Sequence, residues 1–239
     1  MKKLVVVTGA SSGIGAAIAR RLSAAGHPLL LLARRVEQLE ALDLPNCLCE
    51  QVDVTNRADF EAAINKAEAK FGAVDALVNN AGVMLLGQIE DQNSAEWQQM
   101  FEVNVLAILN SMQVVLAPMK AKNSGTIINV SSVAGRKTFV DHAAYCGTKF
   151  AVHAITENVR EEVADSNVRL ITIAPGAVET ELLSHTTSQD IKDGYENWKD
   201  SMDGVLAADD VARAVEFAYA QPQEVCIREI VLAATRQQP

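Results

Sequence analysis

The sequence predicts a single α/β domain, a doubly wound seven-stranded parallel sheet with helices on both faces. Three observations carry that expectation. Short β-branched or leucine-rich runs alternate with longer stretches of helical pattern. The runs read as buried, as strands covered on both faces are. The 239 residues, 49% apolar and 21% charged, show no break in composition, no internal repeat and no linker-like tract, so one large core is expected.

Taken in order, buried strands are expected at 3–8, 29–33, 47–52, 76–78, 126–131, 168–174 and 226–233. Gly9 stops the first and Pro175-Gly176 follows the sixth. Crossover helices are expected at 14–25, 57–71, 95–120, 143–164 and 209–220, each apolar on one face. Residues 181–204 are polar, carry Tyr195 and Trp198, and read either as a partly helical lid over a substrate or as a plain surface excursion.

Thirty acidic against twenty-one basic side chains leave a formal charge of −9. Such a surface repels nucleic acid and anionic lipid, so a small-molecule partner is favoured. The apolar run after Met1-Lys2-Lys3 ends at Thr8-Gly9, too short for export, and the uncharged stretches 4–19 and 103–119 are interrupted by Gly, Ser, Asn, Gln or Pro. No membrane span and a cytoplasmic location are therefore expected. The four cysteines, Cys47, Cys49, Cys146 and Cys226, lack paired metal spacing and read as buried reduced thiols, and none of the four histidines has metal spacing, so no metal site is expected.

Two local patterns point to chemistry. Between the first strand and first helix lies Thr8-Gly9-Ala10-Ser11-Ser12-Gly13-Ile14-Gly15, a turn that aims backbone N–H groups at an anion at a helix N-terminus. A pyrophosphate fits there, although glycines also serve plain turns and the spacing departs from the usual G-x-G-x-x-G. In Tyr145-Cys146-Gly147-Thr148-Lys149 the tyrosine and lysine share one helix face. A free phenol ionises near ~10, and a tyrosine trading a proton at neutral pH needs its phenolate favoured by positive charge. Alone, the pair equally describes a solvated tyrosine beside a surface lysine.

With these motifs the chain resembles the classical short-chain dehydrogenase/reductase family. The glycine turn has the family's T-G-x-x-x-G-x-G form, Asp53-Val54 falls where the family holds adenine, and Asn79-Asn80-Ala81-Gly82 matches its N-N-A-G element. Ser132 precedes Tyr145 by the family interval, Asn104 falls at its fourth catalytic position, and Pro175-Gly176-Ala177-Val178-Glu179-Thr180 matches P-G-x-V-x-T. The resemblance implies a Rossmann-type fold and hydride transfer between a nicotinamide cofactor and a carbonyl or alcohol carbon. It implies that Tyr145 is the general acid or base, that Ser132 bonds the substrate oxygen, that Lys149 lowers the Tyr145 pKa and binds the nicotinamide ribose, and that Asn104 helps hold a water linking Lys149 to solvent. Val178 and Thr180 would meet the carboxamide, though Pro175-Gly176 also reads as a sharp turn. Ser131, the neighbouring candidate, should point to the opposite side.

Arg34-Arg35 at the end of the second strand, with no Asp or Glu there, favours a 2′-phosphate and so NADP(H), unless these arginines are only solvated helix-start charges. The implied cofactor contacts are therefore Gly9, Ser11, Ser12, Gly13, Ile14, Gly15, Arg34, Arg35, Asp53, Val54, Asn80, Ala81, Gly82, Tyr145, Lys149, Pro175, Gly176, Val178 and Thr180. The 33–35 strand end and the 232–238 tail are similar to NADP-dependent 3-hydroxy acid and aldehyde reductases. The expected substrate is a small ketone, aldehyde or 3-hydroxy/3-oxo acid, with a larger alcohol, sterol or acyl thioester as the rival, and an NADP(H)-sensing protein without chemistry as another. Lid acids Asp190, Asp193, Glu196, Asp200 and Asp203 would disfavour an anionic substrate if they face the pocket, whereas Lys192 and Lys199 could receive one. His142 reads as a solvated loop residue or a substrate contact. The resemblance also implies pairing through the helices at 95–120 and 143–164 into a homotetramer or dimer, with Ala143, Gly147, Ala151 and Ala154 permitting close approach.

Overall fold

A computed structural model describes residues 2–238, so Met1, which opens the run read above against export, and Pro239 lie outside the described residues. The strands are β1 (Leu4–Thr8), β2 (Leu29–Ala33), β3 (Cys47–Gln51), β4 (Val74–Asn79), β5 (Gly125–Val130), β6 (Val168–Pro175) and β7 (Glu229–Leu232). They form one all-parallel sheet in the order β3-β2-β1-β4-β5-β6-β7. The helices are α1 (Gly13–Ala24), α2 (Val36–Glu40), α3 (Arg57–Phe71), α4 (Ser94–Phe101), α5 (Ala107–Ala121), α6 (Ala143–Glu162), α7 (Gln189–Ser201) and α8 (Ala208–Tyr219).

Successive strand residues face opposite sides of a sheet. Here Val5, Val7, Leu29 and Leu31 meet Ile18 and Leu22 of α1 and Val211 and Val215 of α8. Val6, Leu30, Leu77, Ile127 and Leu170 meet Phe60 and Ile64 of α3, Ile108, Met112 and Val115 of α5, and Val152 of α6. The five inner strands are buried at every position for that reason. The edge strands are not: β3 is half-buried and β7 alternates between exposed and half-buried. The uniform burial expected of all seven strands is corrected accordingly, and so is that of the cysteines. Only Cys146 is buried; Cys47 and Cys49 are half-buried on β3, and Cys226, just before β7, is exposed, all four as free thiols.

The helix expected at 95–120 is three pieces. Between α4 and α5 runs a π-helical turn, Glu102–Leu106, which carries Asn104 into the interior. Such wider turns often mark functional sites. The stretch Ser94–Ala121 is also the one among the described residues long and apolar enough to cross a membrane, with mean hydropathy 1.6 over its most apolar 18 residues. Met100, Ile108, Met112 and Val115 bury its inner face in the protein, as in the core helix of a globular domain.

The crossovers from β1 and β4 leave on opposite faces of the sheet, so a crevice opens at the carboxyl ends of these neighbouring strands. Residues after β6 cross it. Glu181–His185 is a turn of 3-10 helix capped by Thr180, and α7 follows, capped by Ser188. This segment is tied down by Thr186, whose hydroxyl donates to the Met84 carbonyl at 3.2 Å and accepts from Leu86 N–H at 3.1 Å.

Candidate active site

A cleft of about 890 Å³ runs over the carboxyl ends of the strands, and every residue expected at the cofactor and catalytic positions lines it except Asn104 and Gly15. Those two lie directly behind its wall. A Cβ on Gly15 would stand 2.2 Å from the Gly9 carbonyl oxygen, so only glycine lets the first turn of α1 close on the strand end. Gly9 has a φ of +63°, and a Cβ there would come within 2.8 Å of Ala81.

That contact joins the glycine turn to the segment after β4. Thr8 Oγ1 accepts from the N–H groups of Asn80 (3.0 Å) and Ala81 (3.1 Å), while Asn80 Nδ2 donates to the carbonyls of Thr8 (3.0 Å) and Gly9 (3.2 Å). The first turn of α1 has no acidic residue and no side-chain cap, so its N–H groups face the cleft for an anion. This geometry suits a diphosphate between the Gly9–Gly15 turn and the 176–180 segment; a Cβ on Gly13 would touch Thr180 Cγ2 at 3.1 Å.

Arg34 and Arg35 stand exposed at one end of the cleft. The strand end holds no carboxylate, but the fold brings one there: Glu181 Oε2 lies 3.4 Å from an Arg35 guanidinium nitrogen. Asp53 is held below the usual carboxylate range by the Thr55 backbone N–H and hydroxyl against the effect of burial, with Arg34 adding to that. A residue missed from the sequence is Gln237, whose Oε1 accepts from Ala177 N–H at 2.9 Å and shares the space beside Gly176. No pattern in the tail signals that contact.

At the other end β5 runs into Ser132, whose hydroxyl faces the Tyr145 phenol and accepts from Ala134 N–H at 3.1 Å. Ser131 turns away, donating to the Lys149 carbonyl at 3.2 Å, as period-two geometry predicts. Tyr145 and Lys149 lie one turn apart on the buried face of α6, with the ammonium 5.7 Å from the ring centre. Lys149 Nζ donates to the Val130 carbonyl at 3.1 Å, and burial pulls its pKa down to about 8.

Tyr145 lies buried beside these groups. Burial pushes the phenol up, the Tyr195 phenol adds to that, and the Ser132 hydroxyl is the group that opposes it. Asn104 is fully buried, with Oδ1 accepting from Val83 N–H (2.9 Å) and Nδ2 donating to Val83 C=O (2.9 Å) and Thr148 Oγ1 (3.2 Å). It therefore pins the 82–83 segment to α6.

Asn79 belongs to a buried polar ladder. Its amide donates to Asn129 Oδ1 (2.9 Å) and accepts from Ser111 Oγ (2.8 Å), and Asn129 donates to Thr156 Oγ1 (2.9 Å), linking β4, β5, α5 and α6 beneath the site. His142 is not a solvated loop residue. It is half-buried in the cleft wall, 6.2 Å edge-on from the Tyr145 ring, and burial lowers its pKa. Of the lid lysines, Lys192 does not line the cleft, and Lys199 is bound by Glu179 Oε2 (2.9 Å) and Glu196 Oε2 (2.8 Å). Neither is placed to receive an anion. Among the lid acids, Asp190 lines the cleft, whereas Asp193, Glu196, Asp200 and Asp203 do not.

A serine hydroxyl on a tyrosine, a lysine one helical turn away and a diphosphate-sized turn in the same cleft invite comparison with known enzymes. The family model for short chain dehydrogenases matches residues 3–191. A protein of Staphylococcus saprophyticus, named only as an uncharacterized oxidoreductase, is 40% identical over 98% of this chain and 97% of its own. A serine dehydrogenase solved in closed form with NADP+ superposes with a TM-score of 0.92 at 30% identity, covering 99% of this chain and 96% of that one. An alcohol dehydrogenase from the archaeon Thermococcus sibiricus, solved with 5-hydroxy-NADP, gives 0.87 at 28% identity over 100% and 99%. The matched motifs, the strand order and the near-complete coverage agree, and the chain belongs to the short-chain dehydrogenase family.

Proposed function

We propose that this chain is an NADP(H)-dependent reductase of a ketone or aldehyde carbonyl, with Tyr145, Ser132, Lys149 and Asn104 as its working set. The observation that carries the reading is the Ser132 hydroxyl beside the Tyr145 phenol, with Lys149 buried one turn below, in a cleft whose far end holds Arg34 and Arg35. The NADP-bound serine and alcohol dehydrogenases of the same fold support the cofactor.

In this reading the cofactor, when bound, supplies or accepts the hydride. Backbone N–H groups at Gly9, Ser11, Ser12, Gly13, Ile14 and Gly15 hold the diphosphate, and Arg34 and Arg35 take the 2′-phosphate. Asp53, Val54, Asn80, Ala81 and Gly82 border the adenosine half, and Pro175, Gly176, Val178 and Thr180 border the nicotinamide half. Ser132 donates a hydrogen bond to the carbonyl oxygen and polarises it. Tyr145, whose buried phenol keeps its proton, transfers that proton to the same oxygen as the hydride reaches carbon. The Lys149 ammonium then faces the phenolate left behind and stabilises it. Asn104 positions the 82–83 segment and Thr148, and hence the helix that carries Tyr145. Residues 181–204 act as the lid that excludes water.

Pairing of subunits is supported by the exposed Phe101, Leu106 and Leu109 beside Phe150 of α6, whose outer face presents Ala143, Gly147 and Ala154. A light-scattering mass that is a multiple of 25.7 kDa is expected; the monomer mass contradicts it. Free thiols at all four cysteines fit a reducing cytoplasm. The test of function is a thermal-shift comparison of NADP, NADPH, NAD and NADH followed by NADPH oxidation on a carbonyl panel. Selective stabilisation by NADP(H) and turnover are expected, and stabilisation by NAD(H) alone contradicts the assignment.

A further inference from the structure

Resting on the reductase reading above, we propose that the substrate is an uncharged carbonyl compound bearing a flat aromatic group, and that the site discriminates against carboxylated carbonyls. Two features of the cleft around Tyr145 carry this.

The first is its wall. The His142 ring meets Tyr145 edge-on at 6.2 Å and lies near-parallel to Tyr195 at 6.3 Å. Tyr195 meets Trp198 at 5.3 Å, Trp198 meets Phe139 at 6.4 Å, and Phe139 meets His142 at 5.6 Å. Four rings, two from the loop before α6 and two from α7, thus pack into an aromatic wall of the cleft beside the phenol. His142 Nδ1 lies 2.5 Å from the Val140 carbonyl, which can only accept, so this nitrogen carries the proton. Burial lowers the His142 pKa and so favours the neutral imidazole, and the wall presents π faces and edges.

The second is the charge around it. Of the lysines and arginines lining the cleft, Arg34 and Arg35 lie at the far end, and Lys149 is turned to Val130. The fourth is Lys199, with a side chain 8% exposed and its ammonium held between Glu179 and Glu196. Desolvation of Lys199 is outweighed by these two carboxylates, which raise its pKa. Two carboxylates on one ammonium leave the group net negative, and Asp190 adds another negative charge at the cleft. A substrate carboxylate must displace one glutamate from Lys199 while facing the other, or be buried unpaired, and either course is unfavourable.

The experiment compares kcat/KM with NADPH for benzaldehyde, para-carboxybenzaldehyde and its methyl ester, which keeps the shape and removes the charge. The ester and benzaldehyde should be turned over comparably and the carboxylate on the order of 100-fold less well. In a Glu179→Gln, Glu196→Gln double variant, with Lys199 released, the gap between ester and carboxylate should narrow by about tenfold. A carboxylate turned over as well as its ester by the unaltered enzyme overturns the inference and leaves the reductase reading intact. So does turnover of aliphatic oxo acids with none of the aryl aldehydes. No NADPH oxidation with any carbonyl, despite NADPH binding, overturns the reductase reading and this inference with it.

Discussion

Lys149→Met should make the protein more stable while making it inactive. Nζ of Lys149 is buried and its pKa falls from the ordinary 10.5 to about 8, by desolvation. At about 1.4 kcal/mol per pH unit, that fall means the charged lysine destabilises the fold by about 3 kcal/mol near neutral pH. Methionine is close in length and carries no charge. Its introduction forfeits the 3.1 Å bond to the Val130 carbonyl, a loss of about 1 kcal/mol. The net expectation is a gain of about 2 kcal/mol, or roughly 4–8 °C in Tm for a domain of this size.

The sign fixes the pH dependence. Between about pH 8 and 10.5 the unfolded chain holds a proton at this site that the folded chain has released, so the lysine's penalty fades as pH rises. The Tm advantage of the variant should therefore be full below pH 8 and shrink toward pH 10. Thermal denaturation of both nucleotide-free proteins at pH 6, 7, 8, 9 and about 10 reads it directly. A variant less stable than its parent at pH 7, or an advantage that does not change with pH, refutes the reasoning.

Arg34→Ser should weaken NADPH binding by roughly 10- to 100-fold and leave NADH binding within about twofold, measured by fluorescence titration. Gly15→Ala places a methyl 2.2 Å from the Gly9 carbonyl and should abolish the nucleotide-dependent thermal shift in any protein that still folds; an undiminished shift contradicts the proposed diphosphate site. Asn129→Ala removes the partner of both Asn79 Nδ2 and Thr156 Oγ1, and urea denaturation should show a loss of about 2–3 kcal/mol; a loss below about 0.5 kcal/mol contradicts the ladder's importance.

The inner strands were legible because a parallel strand covered on both faces is mostly apolar, and the five consecutive apolar residues of 29–33 leave no other reading. The long helix at 57–71 was equally plain, with Asn56 capping its start and Gly72 ending it. What escaped was set by three-dimensional packing. The π turn at Glu102–Leu106 has no periodicity of its own and is marked by the bonds of Asn104 to Val83, twenty-one residues away in sequence. The five residues of α2 are too few for a periodic pattern, and the exposure of Cys47, Cys49 and Cys226 follows from edge positions that strand order alone decides.

The site divides in the same way. Motif spacing located Ser132, Tyr145 and Lys149 because a strand end and one helix turn hold them in local register. The contacts around them come from afar: Glu181 reaches Arg35, Gln237 reaches Ala177, Tyr195 packs on His142, and Trp198 packs on Tyr195. No local pattern encodes a meeting between α7 and the loop before α6. The pairing of Lys199 with Glu179 likewise required the fold, since twenty residues separate them.

The measurement closest to the central claim is the turnover of Tyr145→Phe with NADPH and a carbonyl that the unaltered enzyme reduces, alongside the Kd of NADPH for both proteins. Loss of the one hydroxyl removes the proposed proton donor and leaves the ring contact with His142 in place. The account predicts kcat lower by about 100- to 10,000-fold with NADPH affinity changed by less than about threefold. Turnover within about threefold of the parent, with cofactor still bound, would mean that the proton reaches the carbonyl by another route and that the assignment of Tyr145 is wrong.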